Sequence, residues 1–162
     1  MRVIGIDPGF AIVGFGVLDS DRSGQRLAGH GVITTKAGLP FSTRLADIER
    51  DMNELLLEFK PDCMAVEELF FNTNVTTALN VAQARGVILL TAEKFGIPIF
   101  EYTPLQVKQS ISGYGRAEKN QVMQMTKRLL RLNEIPRPDD AADAIAIALC
   151  HARSSTSLLK SI

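Results

Sequence analysis

The sequence offers almost nothing for covalent or zinc-held structure. Its two cysteines are Cys63, inside an apolar strand pattern, and Cys150, inside an alanine-rich helical pattern. Both read as reduced core residues, and no disulfide is expected. The adjacent Cys150–His151 pair is too sparse for a zinc site. No apolar stretch reaches the ~20 uncharged residues that cross a bilayer, and the N-terminus enters a strand pattern without a cleavable leader pattern. A soluble, cytoplasmic protein with no membrane partner is the expectation. Internal repeats and low-complexity segments are also missing. With 162 residues and 46% hydrophobic content, one core and one domain over residues 1–162 are expected.

Net charge is missing too, since 18 basic residues balance 18 acidic ones. The balance is not even along the chain. Residues 1–103 carry nine Lys/Arg against thirteen Asp/Glu, residues 104–137 seven against two, and residues 138–162 two against three. Lys108, Arg116, Lys119, Lys127, Arg128, Arg131 and Arg137 thus give one stretch a charge of +5. A basic patch of this kind is either a solvated helix face or the footprint of a polyanion.

What the sequence does have begins with Val3-Ile4-Gly5-Ile6-Asp7-Pro8-Gly9. Its β-branched residues indicate a buried strand, which Pro8 and Gly9 stop just past one carboxylate. Asp7 could simply open a turn through its own backbone. Two further strands follow, Gly14–Asp19 and Arg26–Thr35, and make an antiparallel meander. Leu45, Ile48, Met52, Leu55, Leu56 and Phe59 recur at three and four, so a helix runs from Pro40 to just before Pro61. Cys63–Leu69 is another short buried strand, and it too is apolar until it meets acid, at Glu67 and Glu68. Alternation sends only one of these two to a given face.

A long helix is expected from Asn74 to Phe95, with Ala78, Ala82 and Gly86 four apart. Such a row of small residues seats the helix on the sheet or forms a two-fold contact with another copy. Ile97–Tyr102 reads as a fifth strand, Pro104–Ser112 as a short helix bearing Lys108, Ala117–Leu132 as a basic helix and Asp140–Arg153 as a final, alanine-rich one. This order indicates an α/β fold, a mixed five-stranded sheet flanked by helices in the ribonuclease H-like arrangement. Sites in open sheets gather beyond the carboxyl ends of parallel strands, where Asp7 and Glu67 fall.

The last helix opens on Pro138-Asp-Asp-Ala-Ala-Asp143. Asp140 and Asp143 are three apart and share a helix face. An acid at the N-cap and another in the first turn is also a capping arrangement. Asp7, Glu67, Asp140 and Asp143 each begin or end an apolar element, and the fold can bring all four to one edge. Carboxylates 4 to 5 Å apart repel by roughly 3 to 4 kcal/mol at an effective dielectric near 20, against about 1 kcal/mol from a cap. Oxygen ligands without His or Cys favour Mg²⁺ or Mn²⁺. Two such ions would hydrolyse a phosphodiester in line, with Lys108 and Lys119 available to hold phosphates. Phe70 and Phe71, next to the second acid, are either core or stacking residues for bases.

Taken together, Gly5-Ile-Asp-Pro-Gly9, Ala65-Val-Glu-Glu-Leu-Phe70, Gln83-Ala-Arg-Gly86, Val107-Lys-Gln109, Gly115-Arg-Ala-Glu-Lys119 and Asp140-Ala-Ala-Asp-Ala144 resemble, in order and spacing, the RuvC family of Holliday-junction resolvases. The resemblance covers essentially the whole chain. It implies metal-binding acids at Asp7, Glu67, Asp140 and Asp143, catalytic or DNA-contacting lysines at Lys108 and Lys119, and an aromatic for junction engagement at Phe70; Arg116, in the basic stretch, is a further candidate for DNA contact. It further implies a Mg²⁺-dependent homodimer, with two ions per subunit and Mn²⁺ as a substitute, that nicks opposed strands of a four-way junction. RuvA and RuvB would be its branch-migration partners. Glu68 stands where the family often has Gln, and Asp139 adds an acid beside Asp140. A non-catalytic junction-binding protein would keep the basic patch and leave the acids to cap and turn. An actin-like or sugar-kinase ATPase also begins with a strand ending in Asp, but needs a second similar domain for which 162 residues leave no room.

Overall fold

The computed structural model describes residues 1–69 and 75–159, with side chains to residue 154. Strand β1, Arg2–Asp7, buries Val3, Ile4 and Ile6 completely. It pairs antiparallel with β2, Ile12–Asp21, which pairs antiparallel with β3, Gly24–Thr34. Both hairpin strands run further than the turn residues suggest. The ladder continues to Asp21↔Gly24, because the Asp21 carboxylate accepts from the Ser23 amide at 2.7 Å and Gly24 adopts φ 132, closing a tight turn in place of a six-residue loop.

Helix α1, Phe41–Phe59, ends on Lys60 in the left-handed region, whose amide bonds the Leu56 carbonyl. Strand β4, Cys63–Glu67, then runs parallel to β1. Helix α2, Val75–Lys94, leads to β5, Ile99–Tyr102, parallel to β4. The sheet order is β3-β2-β1-β4-β5, the mixed, ribonuclease H-like arrangement expected. Helix α3, Pro104–Ser112, opens with a capping box between Thr103 and Gln106 and ends on Gly113. Helix α4, Lys119–Leu129, and helix α5, Asp139–Leu159, complete the chain.

Strand alternation divides the core in two. Ile4, Ile6, Met64 and Val66 face α1 and α2, and meet Ile48, Met52 and Ile88 there. Val3, Leu18, Cys63 and Ala65 face the other way, against Ile145, Leu149 and the rest of α5, with α3 and α4 beyond. Cys63 and Cys150 are both buried and free. The tight seat of α5 depends on glycine. A Cβ on Gly5 would stand 2.1 Å from the Ala144 carbonyl oxygen, and one on Gly14 would stand 2.0 Å from that of Asp140. These two positions on adjacent strands therefore set how near α5 can lie to the sheet.

Helix α2 differs from expectation in which face it shows. Ala78 is turned into the core, whereas Gly86 is exposed and a Cβ there would touch nothing. A four-residue step advances about 40° around a helix beyond a full turn, so the Ala78, Ala82, Gly86 row drifts from inside to outside. The outward stripe is Val75, Leu79, Gly86 and Leu90. By length and apolar composition this helix could cross a membrane. However, its inner side packs in the α1/α2 core through Ala84, Ile88 and Ala92.

Candidate active site

Asp7 and Glu67 are the last residues of two neighbouring parallel strands. The paired positions run from Val3↔Cys63 to Ile6↔Val66, so the next residue on each strand comes side by side at the carboxyl edge. By alternation both side chains point to the α5 face, as Val3 and Cys63 do. The turn after Asp7 is pinned from behind. Thr35 donates its hydroxyl to the Phe10 carbonyl at 2.7 Å, and Phe10 stacks on Phe41 at 4.7 Å beneath the Arg44 guanidinium, 3.8 Å from the ring centre.

The third contribution comes from the start of α5. That helix begins at Asp139, one residue before the expected start, with the Pro138 carbonyl accepting from the Ala141 and Ala142 amides. Asp140 is thus a first-turn residue and not the cap. Asp143 lines a cleft of about 210 Å³ together with Asp7, Glu67, Lys108 and Lys119. Asp140 does not line it, and acts on the group through its charge on Asp7 and Asp143. Asp139 turns away to Arg137 at 2.5 Å, while also standing 3.7 Å from Lys119.

The electrostatics of the cleft are those of crowded acids. Burial, and then Asp143, Glu67 and Asp140, push the Asp7 carboxyl up to about 7, with Lys119 offsetting part of the effect. Burial and Asp143 raise Glu67, against Lys108. Lys119 donates to the Asp143 carboxylate at 2.8 Å. Such a bond ordinarily lowers a carboxyl, yet burial prevails and Asp143 also titrates above its usual range, while the bond raises Lys119. The acids line one cleft without converging on a point: among the described residues, no three His, Cys, Asp or Glu side chains stand ready to hold one ion. Like charges so placed repel, and a cation is what relieves them.

Of the residues singled out from sequence, Asp7, Glu67, Asp143, Lys108 and Lys119 are therefore brought together, and Asp140 stands beside them. Arg116 is exposed in the segment between α3 and α4. Phe70 and Phe71 lie outside the described residues. Arg85 was not singled out for a role. Its Nε donates to the Glu67 carbonyl at 3.2 Å. Its signal was visible as the sole charge between Val75 and Ala92, but its partners lie on other elements. A larger groove of about 400 Å³, lined by Tyr102, Gln106, Cys150 and Arg153 among others, contains no acid cluster.

Comparison with known proteins places nearly the whole chain in one family. A family model for the crossover junction endodeoxyribonuclease RuvC matches residues 3–151. The crossover junction endodeoxyribonuclease RuvC of Brevibacillus brevis is 59% identical over 153 residues, which cover 94% of this chain and 92% of that one. Among solved structures, Thermus thermophilus RuvC matches with a TM-score of 0.90 at 39% identity, covering 97% of this chain and 96% of that one. T. thermophilus RuvC in complex with a Holliday junction substrate matches at 0.88 and 37% identity, over the same shares of the two chains. On sequence and fold, the chain belongs to the RuvC family of crossover junction endodeoxyribonucleases.

Proposed function

We propose that this protein is a structure-selective endonuclease that resolves four-way DNA junctions in recombination and repair, hydrolysing phosphodiesters on two opposed strands. The observation that carries the reading is a cleft where acids from β1, β4 and α5 crowd together with two lysines, leaving one carboxyl at about 7. An all-carboxylate donor set suits Mg²⁺, with Mn²⁺ as a substitute, and Asp7, Glu67, Asp140 and Asp143 would hold two ions. Bound there, such ions supply an activated water and stabilise the departing 3′ oxygen.

The chain's own groups do the rest. Lys119 spends one ammonium donor on Asp143 and has two more for a phosphate oxygen. Lys108 lines the same cleft, acts on Glu67 through its charge and adds a second positive charge there. Exposed Arg116 extends this positive edge towards DNA.

The reading includes a homodimer, as symmetric cutting of a two-fold junction needs two sites. The exposed stripe of Leu79, Gly86 and Leu90 on α2 is the surface that favours it. RuvA and RuvB as branch-migration partners, and action in the cytoplasm, complete the reading on the strength of family membership. The buried free cysteines are compatible with a reducing compartment.

The test is nicking of a synthetic four-way junction in Mg²⁺, by the parent and by Lys119→Ala. Lys119 is half-exposed, so its loss should leave the melting temperature within a few degrees while nicking falls by about 10²-fold or more. A parent that binds the junction without cutting it would instead make this a non-catalytic junction-binding protein.

A further inference from the structure

Arg85 sits on the side of the sheet opposite the cleft. Its helix, α2, packs on the face occupied by Met64, Val66 and Ile99, whereas the side chain of Glu67 points to the α5 face. Arg85 nevertheless reaches the site from behind. Its Nε donates to the backbone carbonyl of Glu67 at 3.2 Å, and its other arm pairs with the carboxylate of Glu101 on β5. The Arg85 side chain is 15% exposed and that of Glu101 about half. One planar fork thus ties the last residue of β4 to the neighbouring strand, just where the Glu68 amide makes a closing bond to the Tyr102 carbonyl at 2.9 Å.

We infer that Arg85 is a positioning residue for the metal ligand Glu67. The Glu67–Glu68 peptide is the last of β4 and is held on its amide side by the one bond to the Tyr102 carbonyl; the carboxylate keeps its depth in the cleft only if the carbonyl side is held as well. Arg85 supplies that hold through the backbone, from a place where it cannot touch substrate in the cleft. Removing groups that orient metal ligands characteristically weakens metal affinity by about 10- to 100-fold. The inference rests on the reading of Glu67 as a ligand.

The experiment titrates Mn²⁺ into the DNA-free protein by calorimetry, for the parent, Arg85→Met, Arg85→Lys and Glu101→Gln. Melting temperature and junction affinity in chelator are measured alongside. The expected result for Arg85→Met is Mn²⁺ affinity lowered by about tenfold or more with junction affinity in chelator unchanged. Nicking should need more metal for half-maximal rate and recover at high metal. Arg85→Lys keeps the charge without the fork and should not restore the affinity. Glu101→Gln weakens one arm on an exposed side chain and should give a smaller loss of the same kind, which decides the matter if Arg85→Met does not fold. Mn²⁺ affinity equal to the parent in the folded variants overturns the inference, as does a loss of junction affinity in chelator. A parent that itself fails to bind Mn²⁺ sinks the metal-site reading instead.

Discussion

Asp7 carries the sharpest conflict in the site, because it ends a strand whose Val3, Ile4 and Ile6 are wholly buried and also faces Asp143 and Glu67. A carboxyl raised to about 7 on folding holds its proton more tightly in the folded than in the unfolded chain. The metal-free protein therefore loses stability through this group as pH rises from about 4 to about 7, on the order of a few kcal/mol, and regains it on acidification through the same window. Asp7→Asn keeps the volume and removes the charge. In chelator it should melt higher than the parent near pH 8 and lose that advantage near pH 5, where the parent is protonated. Nicking in Mg²⁺ should disappear and junction binding in chelator should persist or tighten, since one charge that repels phosphate is gone. A variant melting lower than the parent at both pH values would make Asp7 a structural turn residue; one nicking at a near-parental rate would end the metal reading. Asp7 and Glu67 could be picked out in the sequence because an acid terminating an apolar strand has little packing reason to exist. Arg85 could not, because a carbonyl on β4 and a carboxylate on β5 have no sequence relation to it.

At the scale of elements, α2 and α5 show what periodicity reads well and what it misses. Three-and-four spacing placed α1 to within a residue or two, and Gly96 and Gly113 marked the ends of α2 and α3, whereas the loop expected over Asp19–Gly24 closed to a tight turn. The start of α5 slipped by one residue, because Asp139, Asp140 and Asp143 are all acceptable in a first turn and only the Pro138 carbonyl fixes which is which. The inward or outward turn of Ala78 and Gly86 was likewise invisible in a four-residue row. Gly86 provides the clean test of self-association. A Cβ in its place finds nothing within 4 Å, and leucine improves helix propensity by up to about 1 kcal/mol. Gly86→Leu should therefore melt at or above the parent temperature yet sediment as a monomer. A stable dimer would move the interface away from this stripe.

The molecule as a whole is neutral, and its behaviour towards DNA rests on unequal distribution of charge. The basic stretch spans α3 and α4, which pack on the α5 side of the sheet with the cleft. Junction affinity in chelator should consequently fall steeply with salt, by tenfold or more between about 50 and 200 mM, as phosphate contacts release counterions. Affinity insensitive to salt would mean that the stretch is only a solvated face.

The glycine seat of α5 has a consequence in the order of synthesis. Asp7 and Glu67 are made early, whereas Asp140 and Asp143 come with the last helix, and that helix also covers the sheet face beneath them. At roughly 5–20 residues per second, the first acid leaves the ribosome several seconds before the last two. Until α5 settles onto Gly5 and Gly14, the cleft has only part of its carboxylates and no floor. If these acids hold the metal as proposed, a nascent chain should be unable to cut DNA, and nicking should arrive only once α5 is seated.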